Sequence, residues 1–374
     1  MRRLHCLDGL RGLLALYVML SHTAPLAFAP AAWAWLPGLF VHGGAAVDAF
    51  FILSGLVILR SLEAFRYQPR PFLIARAFRI FPVFLLVFAL ALLTRRLDPG
   101  LAALPWIGPE DPVRLMVSAH WPDAAWAHIA AHLVMAHGLF PDGILPHVWV
   151  SLLGVAWSLS TEWQFYLLAL LLGLRLAGAP LRLAAAFLAL ALAGLAWAAI
   201  APPGWGFSRA FLPNKAQYFA LGIASLPLLA ATQGKAMRRA AAAYAATLAA
   251  VLAVSVVQGG WGKLAAPLVW TVCLAAERGL LPPLAWALRT PVLLWLGAIS
   301  YPLYLVHEPV QKLVLALCAA LAEGAGARFN ILWLNLGLLL PLLAAWWLHH
   351  AVETPAQRWG RALATGHRGS LVRA

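Results

Sequence analysis

The chain has 374 residues, 63% of them hydrophobic and 11% charged, with a mean hydropathy of +0.82 and a net charge of +14. Soluble domains carry about 25% charged residues, so this composition excludes an ordinary one. The excess of cations sits in segments flanking apolar runs, where membrane topology places basic residues, and no nucleic-acid partner is expected.

Apolar runs of about twenty residues recur along the chain, the mark of an all-α, polytopic membrane bundle embedded in a lipid bilayer. Ten spans are predicted, at 5–27, 44–62, 73–94, 148–175, 181–201, 215–231, 238–256, 263–277, 291–319 and 328–351. Pro and Gly punctuate the connections, as at Pro69, Pro71, Pro99, Pro202-Pro203 and Pro282-Pro283. The spans at 215–231 and 263–277 are weak enough to be tilted or re-entrant. With the N-terminus inside, the inner loops hold 18 basic residues, Arg2, Arg368 and Arg373 among them, against seven in the outer loops. The expected orientation is therefore N-in and C-in. The basic start resembles a signal peptide, but Arg11 interrupts its apolar run and no small-residue cleavage site closes it, so a retained helix is expected. The spans and their connections fill residues 1–355, and 356–374 reads as a short basic cytoplasmic tail, with no second soluble domain. Cys6, Cys273 and Cys318 are scattered through apolar segments and read as small core residues.

The first span carries Arg11 and His22, eleven residues apart and thus on one helix face about 16 Å from each other. An ionisable group at membrane depth costs at least ~2.5–3.5 kcal/mol and marks a functional site by default. In the second span, Asp48 enters from the outer side to the level of His22. A carboxylate there could orient the imidazole as the acid–base half of a triad, or simply cap its own helix. Arg76 and Arg79, at i and i+3, open the third span from inside. Such a pair can grip phosphate or serve as topological flanks.

Residues 96–147 form a long outer connection with five acids and Trp106, Trp121 and Trp126, read as an ordered cap over an external pocket with a short helix near 125–138. His128 and His132 lie at i, i+4 between His120 and His137. Neither an HExxH glutamate nor a cysteine accompanies them, and no metal site is expected. The fourth span places Glu162 among Ser158, Ser160, Thr161 and Gln164, where it either faces a polar pocket or pairs with Arg11. The ninth carries Ser300, Tyr301, Tyr304 and His307, with 300, 304 and 307 on one face. Val352–Pro355 reads as a helix stop.

Taken in order, LDGLRGLLALYVMLSH, AVDAFFILSGLVI, ARAFRIFP, AWSLSTEWQFYLL, YFALGIA, LGAISYPLYLVHEP and VETP resemble the acyltransferase-3 family of integral membrane O-acyltransferases. The resemblance covers nearly the whole chain, without the extracytoplasmic domain fused to some members. It implies a multi-pass enzyme of the bacterial cytoplasmic membrane that moves an acyl group, most simply acetyl, from cytoplasmic acyl-coenzyme A to a hydroxyl of a carbohydrate or other envelope acceptor. No permanently bound cofactor is implied; acyl-CoA is a substrate. On this reading Arg11, Arg76 and Arg79 hold the donor, and His22, Asp48 and Glu162 are catalytic. Ser158, Tyr301, Tyr304 and His307 line the pocket. Direct transfer and transfer through an acyl-histidine both fit these residues. Mid-membrane polar residues also mark transporter pathways, but the two halves show no internal repeat.

Overall fold

The computed structural model describes residues 3–28, 35, 37–108, 110–111, 114, 117 and 120–366. Arg2, Arg368, Arg373 and the end of the basic tail lie outside the described residues. Those described form helices and turns and contain no strand.

The bundle is built on α2 (Gly43–Ala64), whose most apolar stretch is 78% buried, against 28% for α3 (Pro69–Leu93). Around α2 pack α1 (His5–Thr23), α5 (Trp157–Leu176), α7 (Ala216–Ala230) and α9 (Ala265–Glu277). A second layer holds α6 (Pro180–Ile200) and α8 (Gly234–Gly259) beside α7, and α11 (Pro291–Ala322) and α12 (Gly326–Leu348) beyond α1. Proline at the first turn of α3, α6 and α11 fixes φ where no backbone N–H is needed.

Each of the ten expected spans is represented by a helix, with two differences of extent. The span expected from 148 starts at Trp157, because both Glu308 carboxylate oxygens accept the N–H groups of Gly154 and Val155, at 2.9 and 2.8 Å, and hold the preceding residues in turns. The last helix does not stop at Val352–Pro355. It widens into a π-turn at His349–Glu353, where Glu353 accepts from His349 at 2.7 Å, and continues as α13 (Thr354–Thr365) against α3. By length and apolarity, six helices can cross a membrane, or seven if α9 and α10 (Pro282–Leu288), bent by 99° at Pro282, make one span. Among the ten, α1 and α5 fall outside that set because they carry the charged and hydroxyl residues of the interior, and α7 because it has 15 residues.

The outer connection contains α4 (Ala125–Leu133), inside the stretch expected to be helical. Its earlier part contributes Leu101, Leu104 and Ile107 to a second apolar cluster with Phe329 and Trp333 of α12, so the described part of the cap is packed.

Helices meet at backbone distance where glycine allows it. A Cβ on Gly297 of α11 would lie 2.2 Å from the Asp8 carbonyl oxygen of α1, and one on Gly222 of α7 would lie 1.9 Å from that of Ile52 in α2. Such close approach is how helices associate where hydrophobic force between them is absent. Gly297→Ala and Gly222→Ala are expected to lower the melting temperature of the detergent-purified protein, since overpacking costs about 1–3 kcal/mol. Gly44→Ala, with nothing within 4 Å, is expected to leave it unchanged. Equal melting temperatures for all three would show that these contacts yield.

Candidate functional site

Seven of the ten predicted residues line one cavity: Arg11, Arg76, Arg79, Ser158, Glu162, Tyr301 and Tyr304. Its empty space, open solvent included, is about 810 Å³, in the gap where α3 faces α2 and α5. Chiefly, α3 packs on α13 and α11. It reaches α2 and α5 through side chains: Arg76 Nη2 donates to Ser61 Oγ at 2.6 Å, and Phe81 meets Trp163 edge-on.

The arginines are held differently. Arg11 donates through Nε and Nη2 to the Gly297 carbonyl, at 2.9 and 2.6 Å, so it does not pair with Glu162. Arg76 also lies 5.7 and 5.9 Å from the ring centres of Phe72 and Tyr166. Among the described residues, no group hydrogen-bonds or ion-pairs with the Arg79 guanidinium, which lines the cavity one turn beyond Arg76. Facing them, Glu162 Oε1 accepts from Ser54 at 2.9 Å and from Tyr166, and its other oxygen has no partner among the described residues. The pocket therefore sets three guanidinium groups beside one carboxylate, an arrangement that holds an anion.

The far end of the cavity is uncharged. Ser158 donates to the Tyr304 hydroxyl at 2.8 Å, and Tyr304 donates to the Val155 carbonyl at 3.0 Å. Tyr301 donates to the Ile80 carbonyl at 2.6 Å, tying α11 to α3. Phe50, Phe51, Leu53, Val57 and Leu159 make the remaining wall apolar.

His22 lines a second cavity, with empty space of about 550 Å³, bounded by Thr94, Arg95, Leu152, Glu308, Gln311 and Lys312 and roofed in part by Val117 of the outer connection. Between the two cavities lies His307, fully buried. Its ring centre is 4.9 Å from that of His22 and 6.3 Å from that of Tyr304.

Asp48 is not brought to His22, which corrects the expected dyad. It is fully buried and ion-paired to Lys215 at 2.6 Å and Lys263 at 3.5 Å, with Lys215 itself against Trp157 and Tyr218. Depth along the helices matched Asp48 to His22. Azimuth decides the pairing, and Asp48 turns towards α7. The signal that could have found its partners is the pair of lysines opening the two weak spans.

The outer histidines are packing residues. His132 stacks between Phe88 and His137, with ring centres at 5.3 and 4.1 Å, and each gives one ring N–H to a backbone carbonyl. Burial lowers the His137 pKa to about 4, so it is neutral there.

The family model described as an acyltransferase domain, of the acyltransferase-3 family, matches residues 4–350. A protein of Komagataeibacter xylinus named as a membrane-bound transacylase (BcsY) is 29% identical over 172 residues, which cover 46% of this chain and 37% of that relative's length. No solved structure matches.

Because removing one member of a buried ion pair leaves an uncompensated charge worth roughly 3–5 kcal/mol, Asp48→Asn is expected to lower folded protein in membranes sharply. Asp48→Asn combined with Lys215→Met should recover much of that loss. Normal abundance of Asp48→Asn with lost turnover would return Asp48 to the catalytic set.

Proposed function

We propose that this chain, which belongs to the acyltransferase-3 family, takes acyl-coenzyme A into the arginine-lined cavity and passes the acyl group to a hydroxyl presented in the His22 cavity. The donor arrives from the cytoplasm and the acceptor, a carbohydrate or other envelope component, from the outer face of the bacterial cytoplasmic membrane. Acetyl is the simplest acyl group, and the apolar wall at Phe50, Leu53 and Val57 faces it.

The observation that carries this reading is the Arg79 guanidinium, which lines the cavity beside Arg76 and Arg11 with no hydrogen bond or ion pair among the described residues. Arginine grips phosphate through its planar fork, and coenzyme A offers an anion of that kind. The pantetheine arm runs along the α1 face from Arg11 towards Tyr304, bringing the thioester to the wall that separates the cavities.

His22 is the base. The acceptor hydroxyl gives its proton to an unprotonated His22 nitrogen as its oxygen attacks the thioester carbonyl. The tetrahedral intermediate collapses with cleavage of the C–S bond, and the departing thiolate recovers the proton from His22. An ester and free coenzyme A result, with no other reactant. Glu162, fixed by Ser54 and Tyr166, faces the arginines across the cavity as the remaining member of the catalytic set.

Three measurements test this. In membranes or nanodiscs, Arg79→Ala and Arg79→Lys should raise the donor KM about tenfold or more while leaving acceptor KM little changed; unaltered donor KM would make Arg79 a topological flank. His22→Ala should lose about 10²–10⁴-fold in turnover per mole of folded protein, and near-normal transfer would remove it as base. A cysteine introduced near residue 110 should react with an impermeant reagent added outside cells, and one at residue 235 only after permeabilisation; the reverse would invert the orientation.

A further inference from the structure

With Asp48 bound to lysines, His22 lacks a carboxylate to orient it. The group that faces it is His307 of α11. The His307 Nδ1 lies 3.0 Å from the Leu303 carbonyl oxygen. A carbonyl only accepts, so Nδ1 carries the proton and Nε2 is a lone pair. That Nε2 has no partner although the residue is fully buried, and an unsatisfied buried acceptor is costly.

The charged groups around the two rings do not provide an alternative for His22. On α11, both Glu308 oxygens already accept backbone N–H groups, and Lys312 donates to the Arg95 carbonyl at 3.0 Å. From the end of α3, Arg95 is a cation and cannot accept, and on α1 the other charges are Asp8 and Arg11, three or more turns away. His22 meets His307 edge-to-face, with 78° between the ring planes.

We propose that His307 is the positioning residue of His22: its Nε2 accepts the His22 N–H, which selects one His22 tautomer and leaves the other nitrogen's lone pair for the acceptor hydroxyl. This rests on the reading of His22 as the base. The hydrogen bond closes as substrate seats, as catalytic hydrogen bonds commonly do. No bond to His307 breaks. While His22 holds the hydroxyl proton, Nε2 receives the hydrogen bond of the imidazolium, and it is unchanged when His22 gives the proton to the thiolate.

Two isosteric substitutions separate this role from a structural one. His307→Asn keeps a donor for the Leu303 carbonyl and has no acceptor at the Nε2 position; His307→Gln supplies an acceptor there. With donor KM unchanged in both, kcat should fall about 100-fold or more in His307→Asn and stay within about tenfold of wild type in His307→Gln. The opposite order, or a near-normal His307→Asn, would overturn the proposal and make His307 a clamp on α11. His307→Asn in the His22→Ala background should cost nothing further, because the two rings act as one unit; an additional full loss would also overturn it. A measurement on the wild-type protein needs no variant to fold: ring ¹⁵N signals of His22, assigned by their loss in His22→Ala, should report one tautomer at neutral pH in the presence of a non-reactive donor analogue and acceptor, and an even mixture would sink the proposal. Full transfer by folded His22→Ala removes the base itself, whereas an inactive His22→Ala beside a fully active His307→Asn removes the positioning alone.

Discussion

A charge or an unpaired polar group inside an apolar bundle costs several kcal/mol unless a neighbour answers it, and the helices of this protein are arranged around that constraint. Asp48 is met by two lysines, Glu308 by two backbone N–H groups, and Arg11 by the carbonyl of Gly297. Each of these contacts joins elements far apart in sequence, so the polar interior also specifies which helix lies beside which. Two less satisfied groups lie at the cavities: the Arg79 guanidinium, without a hydrogen bond or ion pair among the described residues, lines one, and the buried His307 Nε2, without a hydrogen bond, lies beside the His22 that lines the other.

Backbone packing makes that geometry possible. Gly9, Gly12 and Gly297 let α1 lie directly against α10 and α11, with an added Cβ on Gly9 only 1.8 Å from the Leu288 carbonyl oxygen. The same line of contact delivers the Gly297 carbonyl to Arg11 at one level and His307 to His22 further along. A side chain in place of these glycines would open both levels together, separating the ring pair and freeing the arginine. The α1–α11 seam thus links the arginine-lined cavity to the His22 cavity through one line of contact.

Hydropathy period and length made all ten helices legible in the sequence, and mid-span charge at Arg11 and Glu162, with the i, i+3 spacing of Arg76 and Arg79, marked residues that line one cavity. What the chain could not disclose is azimuth. Asp48 and His22 share a depth, and depth is all that position along a helix conveys; which neighbour a residue faces depends on rotation and on helix order around α2. The same gap leaves both alternatives open for Glu162, a polar pocket or Arg11, and hides the role of Lys215 and Lys263: lysines at the ends of weak spans read as flanks until a buried carboxylate is found opposite them. The turns before Trp157 were hidden for a related reason, since the carboxylate that holds them lies over 150 residues away.

The separation of the two cavities has a chemical consequence. A thioester is hydrolysed by whatever water can reach it beside a base, so the proposed reaction would require the donor to be kept from the acceptor side until the acceptor is in place. The wall here consists of Ser158, Tyr304 and His307, all buried, with their hydroxyl and Nδ1–H groups already committed to protein acceptors. Such a wall offers entering water no free donor. On the proposed reading, a hydrogen bond from the His22 N–H to His307 Nε2 would ready the base only when the acceptor is seated, and transfer would then outcompete hydrolysis.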